Sequence, residues 1–178
     1  VIGLMSMVAA AEGRFEAAGW LIVLCVLLDK LDGTFARLLG ATSKFGTQLD
    51  SLADLVVFGV APAGVVLLLA RAEVDVFAPW QSWQWALYAC LALFVVASSL
   101  RLAKFNVLTD TDGPAMFYGL PTTVGGGTIG LLILVGLEHD FEGLLRTLPF
   151  FCLLFGLMMV SNLPLPKIGK RESKAANI

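Results

Sequence analysis

The sequence contains few charged residues and few of the residues that bind transition metals. Only 15% of its 178 residues are charged, it has one histidine, His139, and its three cysteines lie far apart in apolar segments. Neither zinc-ligand spacing nor a disulfide framework is present. The formal net charge of −2 offers no basic surface for nucleic acid, and no basic region precedes the first apolar segment as in a signal peptide. These absences argue against zinc-binding, disulfide-rich secreted and nucleic-acid-binding proteins.

Apolar residues, in contrast, are abundant. They make up 58% of the chain and give a mean hydropathy of +0.85, which is too apolar for an ordinary soluble domain. Long apolar segments cover residues 15–39, 46–70, about 80–105, 117–137 and 144–163. Only eleven residues precede Glu12, fewer than the roughly 20 needed to span a bilayer. We therefore predict one all-α domain over residues 1–178, a polytopic transmembrane bundle of about six helices whose first helix is truncated.

Four aspartates stand within or beside the second and third apolar segments. Asp29 and Asp32 are three residues apart and Asp50 and Asp54 four apart, so each pair shares one helix face. The short connection at 40–44 makes these helices antiparallel neighbours and brings both pairs to one membrane face. An aspartate at the bilayer centre costs about 2.5 to 3.5 kcal/mol, so four require compensation. Divalent cations bound by carboxylate oxygens and by substrate phosphates would supply it.

Eight residues at fixed spacing in this region form a family signature. They are Asp29, Asp32, Gly33, Ala36, Arg37, Gly46, Asp50 and Asp54. The pattern resembles the complete signature of the CDP-alcohol phosphatidyltransferase family. That resemblance implies that the four aspartates hold divalent cations, Mg or Mn and two per site. It also implies that a nucleotide site is lined by Asp29, Gly33, Ala36, Arg37 and Gly46. Finally, it implies that Asp54 is the catalytic base and that the protein is a homodimer.

The acceptor alcohol is predicted from residues further along the chain. Residues 49–62, 101–107 and 117–121 resemble the branch of the family that joins CDP-diacylglycerol and L-serine. Leu55 follows the fourth aspartate, where members that act on glycerol phosphate or inositol phosphate typically have a basic residue, so an acceptor without phosphate fits better. Arg101 and Lys104, one helical turn apart, with Asn106 close behind, are predicted to bind the serine carboxylate. The alternative for this basic pair is ordinary snorkelling to the membrane surface.

Three departures from the pattern keep the choice of acceptor open. Val57 stands where a serine is common, Lys104 replaces an arginine, and residues 122–125 replace a stretch rich in proline and alanine. All three lie near the presumed acceptor end of the site. Another small alcohol is therefore the alternative substrate.

A protein of a different class, a cation channel or carrier, would use the same acids as an ion path. The four aspartates lie near one membrane face, and the remaining apolar segments contain no acids to continue a path. The sequence thus favours an enzyme.

The basic residues predict the orientation in the membrane. One side receives Arg37, Lys44, Arg101, Lys104, Lys167, Lys170, Arg171 and Lys174, and the other Arg14, Arg71 and Arg146. By the positive-inside rule the first side is cytoplasmic, so the acidic motif is predicted to face the cytoplasm from the inner membrane. Trp80, Trp83 and Trp85 predict an interfacial aromatic belt on the opposite side, and the alternative for them is a surface that binds a partner or a specific lipid.

Overall fold

The computed structural model describes residues 1–38, 44–110 and 119–161, and these ranges are helical without strands. The helices are α1 (Ile2–Ala11), α2 (Phe15–Leu38), α3 (Lys44–Asp54), a π-helical segment (Leu55–Val60), α4 (Ala61–Ala72), α5 (Ala78–Ser82), α6 (Gln84–Asp110), α7 (Thr122–Glu138) and α8 (Glu142–Val160). The predicted all-α class is confirmed.

Three helices are long and apolar enough to cross a membrane: Phe45–Ala72, which joins α3, the π segment and α4, then Gln84–Val107 and Glu142–Val160. The shorter apolar helices are α1 and α7. The 24 residues of α2 reach spanning length, but its second half carries Asp29, Lys30 and Asp32. Together these elements form the expected polytopic helix bundle, and α1, with ten residues, is as short as predicted.

Some helix boundaries differ from the predicted ones. α6 continues through Asp110, beyond the end of the corresponding apolar segment at about residue 105. α7 begins at Thr122 and not at 117, because Pro121 takes an extended ψ of 137° and Gly119 a positive φ of 81°. α8 ends at Val160, before the predicted end at 163. Residues 117–118 and 162–163 lie outside the described ranges.

The irregular part of the long helix Phe45–Ala72 lies before its proline, Pro62. Pro62 predicts a kink, because it has no N–H to donate and its ring crowds the preceding turn. In the structure the turn before it, Leu55–Val60, is a π helix in which the Ala61 N–H donates to the Val56 carbonyl. Such π turns are frequent at functional sites. This one begins directly after Asp54, at the end of the helix that bears two of the signature aspartates.

Glycines of α7 bring the helices around the acidic motif into close contact. A Cβ on Gly126 would lie 2.7 Å from Phe58 Cα of the π segment. A Cβ on Gly130 would lie 2.9 Å from Ile22 Cγ2 of α2, and both Phe58 and Ile22 are buried. Absent side chains allow such close packing of membrane helices. α7 therefore fixes α2 and the π segment relative to one another.

Candidate active site

Three of the four signature aspartates meet at one point. Asp29 of α2 and Asp50 and Asp54 of α3 each place a carboxylate oxygen within 4.8 Å of the others. The side chains of Asp29 and Asp54 are hydrogen-bonded to each other and half-buried, whereas Asp50 is exposed. At such separations and an effective dielectric constant of 20, each pair of negative charges repels by at least about 3 kcal/mol. A proton or a cation must be present among them for the arrangement to be stable.

These carboxylates line a pocket of about 280 Å³ between α2, α3 and the π segment. Its remaining walls are apolar and include Cys25, Leu28, Ala53, Val57 and Phe58. Asp32 also lines the pocket but is exposed and is not one of the three clustered acids. The helix spacing thus places all four acids at one pocket, with the fourth at its edge.

The donor set fits a hard divalent cation. Mg²⁺ and Ca²⁺ prefer carboxylate oxygens at about 2.0 to 2.6 Å, so two oxygens on one ion lie no more than about 5 Å apart. Asp29, Asp50 and Asp54 meet that limit with oxygens no more than 4.8 Å apart.

The predicted nucleotide residues extend from the same helices. Gly33 lies one turn beyond Asp29, and a Cβ there would meet no atom of the described residues within 4 Å. No described residue therefore fills the space above Gly33. Ala36 and Arg37 lie in the last turn of α2 and Gly46 in the first turn of α3. The side chains of Ala36 and Arg37 fall outside the description, so their nucleotide contacts stay a prediction.

Arg101 of α6 interacts electrostatically with the acidic cluster. It is half-buried, its Nη1 donates to Thr122 Oγ1 at 3.0 Å, and its guanidinium carbon lies 5.8 Å from the centre of the Phe105 ring. Its charge attracts that of Asp54. A positioned cation therefore acts on the residue that the signature predicts to be the catalytic base.

The other two predicted acceptor residues take different positions. Asn106 Oδ1 accepts a hydrogen bond of 3.1 Å from Ser51 Oγ, which places Asn106 against the helix turn between Asp50 and Asp54. Lys104 has an exposed side chain. Of the acceptor set, the structure brings Arg101 and Asn106 to the aspartate helix.

Sequence reasoning missed two polar side chains of this region. Thr122, interpreted from the sequence only as a departure from a family pattern, is fully buried and accepts a hydrogen bond from Arg101. Ser51 links α3 to α6 through Asn106. In the sequence, Thr122 is only a hydroxyl residue near the start of a helix, and Ser51 is only a hydroxyl residue between two signature aspartates. Neither position identifies the hydrogen-bond partner.

Comparison with known proteins decides the family. Residues 1–162 match the CDP-alcohol phosphatidyltransferase family. The chain belongs to that family. It is therefore an enzyme of phospholipid synthesis, a transferase built as a membrane helix bundle.

Relatives of known function support the same placement. A CDP-diacylglycerol–serine O-phosphatidyltransferase of Helicobacter pylori is 38% identical over 171 residues, which cover 95% of this chain and 68% of the relative. The enzyme of the same name from Mycobacterium leprae is 36% identical over 93% of this chain and 54% of its own length. An archaetidylserine synthase of Methanothermobacter thermautotrophicus is 33% identical over 93% of this chain and 65% of its own. The chain thus spans between half and about two thirds of these relatives.

The cluster generates a prediction about metal binding to the transferase. Asp29→Asn or Asp50→Asn should weaken Mn²⁺ binding by at least about tenfold, because each removes one of three converging anionic ligands, whereas Asp32→Asn should have a smaller effect. Electron paramagnetic resonance of free Mn²⁺ during titration of the purified protein measures this.

Asp75→Asn is the matched control, since Asp75 is an exposed acid in the connection between α4 and α5. Equal Mn²⁺ affinities for the wild type and all three motif variants would contradict the assignment.

Proposed function

We propose that this protein transfers the phosphatidyl group of CDP-diacylglycerol to the hydroxyl of L-serine, giving phosphatidylserine and CMP. The observation that carries the proposal is the convergence of three carboxylates within 4.8 Å in a pocket whose other walls are largely apolar. The charge of the half-buried Arg101 acts on one of them, Asp54. The names of its relatives support this donor and acceptor.

The donor has a charged and an apolar part, and the pocket offers a surface for each. Leu28, Val57 and Phe58 form an apolar wall suited to the acyl chains. Asp29, Asp50 and Asp54, with Asp32 at the edge, would hold the divalent cations, which we propose to be two Mg²⁺ or Mn²⁺ ions. When bound, such ions neutralise the charge of the phosphates and of the departing CMP. Gly33, Ala36, Arg37 and Gly46 are proposed to line the nucleotide.

Asp54 is proposed as the general base. The hydroxyl oxygen of serine forms a bond to the phosphorus that bears diacylglycerol, and the bond from this phosphorus to the CMP oxygen breaks. CMP leaves with the electron pair, and the hydroxyl proton passes to the Asp54 carboxylate. Asp54 lies at the end of α3, next to Asp29 and attracted by Arg101, and it acts as the base in its ionised form. These contacts orient its carboxylate towards the pocket.

Arg101 is proposed to bind the serine carboxylate. A guanidinium has five N–H donors, and one of those on Nη1 is used by Thr122. Its planar shape matches a carboxylate, and an ion pair in this half-buried position is screened less than one at the surface. Asn106 and Lys104 are proposed to complete the acceptor site at the same end of α6.

We further propose that the enzyme lies in the inner membrane with this site open to the cytoplasm, where CDP-activated lipids and free amino acids occur. The distribution of lysine and arginine supports this orientation. A homodimer is proposed from the family resemblance.

The acceptor is tested directly with the purified full chain, CDP-diacylglycerol, Mg²⁺ or Mn²⁺ and a panel of radiolabelled serine, glycerol phosphate, inositol phosphate and choline. We expect labelled lipid and CMP release with serine alone, because the acceptor end offers a carboxylate partner in Arg101. Labelling from glycerol phosphate or inositol phosphate but not from serine would show that the acceptor assignment is wrong. Absence of CMP release with every alcohol would contradict the transfer reaction.

Asp54→Asn separates the base from the metal ligands. Because a base is needed for proton removal more than for holding the donor, binding of CDP-diacylglycerol should stay within about tenfold while turnover falls by at least about 10². Equilibrium binding of labelled donor and single-turnover rates give the two quantities. Proportional losses of both would mean that Asp54 acts chiefly as a metal ligand.

Thr122 tests how Arg101 is positioned. Thr122→Val keeps the shape but removes the acceptor of the Arg101 hydrogen bond, and we expect the KM for serine to rise about tenfold, since hydrogen bonds to charged groups contribute about 1.5 to 3 kcal/mol. Thr122→Ser should restore the wild-type KM, and the affinity for CDP-diacylglycerol should not change.

Thr123→Val is the matched control on the neighbouring residue, which makes no hydrogen bond to Arg101. An equal rise in the KM for serine in both valine variants would indicate a general disturbance of α7.

A further inference from the structure

A second pocket lies at the opposite end of the bundle from the acidic cluster. It has a volume of about 400 Å³ and is lined by Trp80, Trp83, Ala86, Cys90, Arg146 and Phe150, among others. We call it the α5–α8 groove, because it lies between α5, the beginning of α6 and the first half of α8. Its volume falls within the roughly 300 to 1,000 Å³ of ligand pockets.

The positions of its walls place the groove near one membrane surface. α6 and α8 run parallel, since both helices advance in the same direction between two contacts. Ala86 and Phe150 share the groove, and further along both helices Ser98 Oγ donates to Met159 Sδ at 3.4 Å. Both helices contain spanning segments, which begin at Gln84 and Glu142. At 1.5 Å per residue, Arg101 lies about 22 Å further along α6 than Ala86. The groove and the active site therefore belong to opposite faces of the bilayer.

The groove wall is held by hydrogen bonds from side chains to backbone carbonyls. Trp80 is buried: its Nε1 donates to the Arg146 carbonyl at 2.8 Å and its ring centre lies 4.7 Å from that of Phe150. Gln81 Nε2 donates to the Ala70 carbonyl at 2.9 Å. Because the wall is fixed in this way, it loses little conformational entropy when a ligand binds.

Arg146 provides the polar end of the groove. Its Nε donates to the Val76 carbonyl at 2.9 Å, which fixes the guanidinium while the side chain stays exposed. Within the described ranges, the ion pair found joins Arg14 and Glu12, so no described carboxylate neutralises Arg146. Its two terminal nitrogens form the edge that matches a phosphate.

The surroundings of Arg146 favour a ligand that carries both signs of charge. Glu142 lies one turn before Arg146 on the same face of α8. Asp75 directly precedes Val76, whose carbonyl accepts the hydrogen bond from Arg146. Both acids are exposed. A purely anionic headgroup would be repelled by these acids, whereas an ammonium group attached to the phosphate would be attracted. Trp83, 72% exposed, offers an apolar ring with a polar edge at the groove, as expected at a membrane interface.

We propose that the α5–α8 groove binds a zwitterionic phospholipid of the leaflet opposite the active site. Its phosphodiester lies on the terminal nitrogens of Arg146, its ammonium group faces Glu142 and Asp75, and one acyl chain occupies the groove along Ala86, Cys90 and Phe150. This site is separate from the donor pocket and does not depend on the proposed reaction.

The proposal is tested by native mass spectrometry of the full chain in detergent, titrated with dioleoyl phosphatidylethanolamine. Ala86→Phe fills the groove without touching the Arg146 contacts and should raise the Kd of the bound lipid at least tenfold. Ala89→Phe adds the same ring to the exposed face of the same helix and should leave the Kd unchanged. Arg146→Gln should raise the Kd at least fivefold, and Arg71→Gln, which removes a cation at the same end of the bundle, should not.

Several outcomes would overturn the proposal. The groove would not be the site if Ala86→Phe and Ala89→Phe changed the Kd equally or not at all. Tighter binding of dioleoyl phosphatidylglycerol than of the ethanolamine lipid would show that the headgroup assignment is wrong. A dimer that persists without lipid and is lost in Ala86→Phe would show that a second copy of the chain occupies the groove. Because Ala86→Phe leaves the Arg146 bond to Val76 intact, the test stands even if Arg146→Gln fails to fold.

Discussion

Repulsion among Asp29, Asp50 and Asp54 is the constraint on which the rest of the structure depends. In bulk water, pairs of carboxylates at about 4 Å repel by only about 1 kcal/mol, but the figure rises several-fold as the effective dielectric constant falls to 20. A bundle that holds three such oxygens within 4.8 Å must therefore supply rigid helices to keep them there. It must also admit positive charge from a ligand, from a proton or from Arg101. A site that needs an added cation to be stable is also one that can bind a substrate's phosphates through it.

α7 provides much of that rigidity, although its residues from Thr122 to Leu137 carry no charge. Gly126 and Gly130 bring it against the π segment, which directly follows Asp54, and against α2, which bears Asp29. Its first residue, Thr122, accepts the hydrogen bond from Arg101. One apolar helix thus sets the relative positions of two acids and of the cation beside them. A change in its packing would alter the site without removing any charged group.

The sequence could predict those features that follow from local periodicity. The helices followed from apolar length, and the pocket followed from aspartates three and four residues apart. It could not predict that Asp32 lies outside the tight cluster: a step of three residues turns the helix by about 300°, so the crossing with α3 decides which acid points inward. Nor could it predict the Arg101 to Thr122 bond, because two residues 21 positions apart meet only through tertiary packing. The same limit applies to Trp80, whose hydrogen bond to the Arg146 carbonyl joins residues 66 positions apart.

Arg101 and Arg146 show how one residue type serves two different ends of a membrane protein. Each is tolerated in or near the bilayer because part of its guanidinium is satisfied by a fixed oxygen. In Arg101 the fixed atom is Nη1, on Thr122, and within the described ranges the edge formed by Nε and Nη2 is left for a ligand. In Arg146 it is Nε, on the Val76 carbonyl, which leaves the end formed by Nη1 and Nη2. The Nε–Nη2 edge of Arg101 therefore faces a half-buried site near acids, where a small carboxylate can bind to it. The Nη1 and Nη2 atoms of Arg146 point outward from the groove, where a phosphate at the membrane surface can approach them from the solvent side.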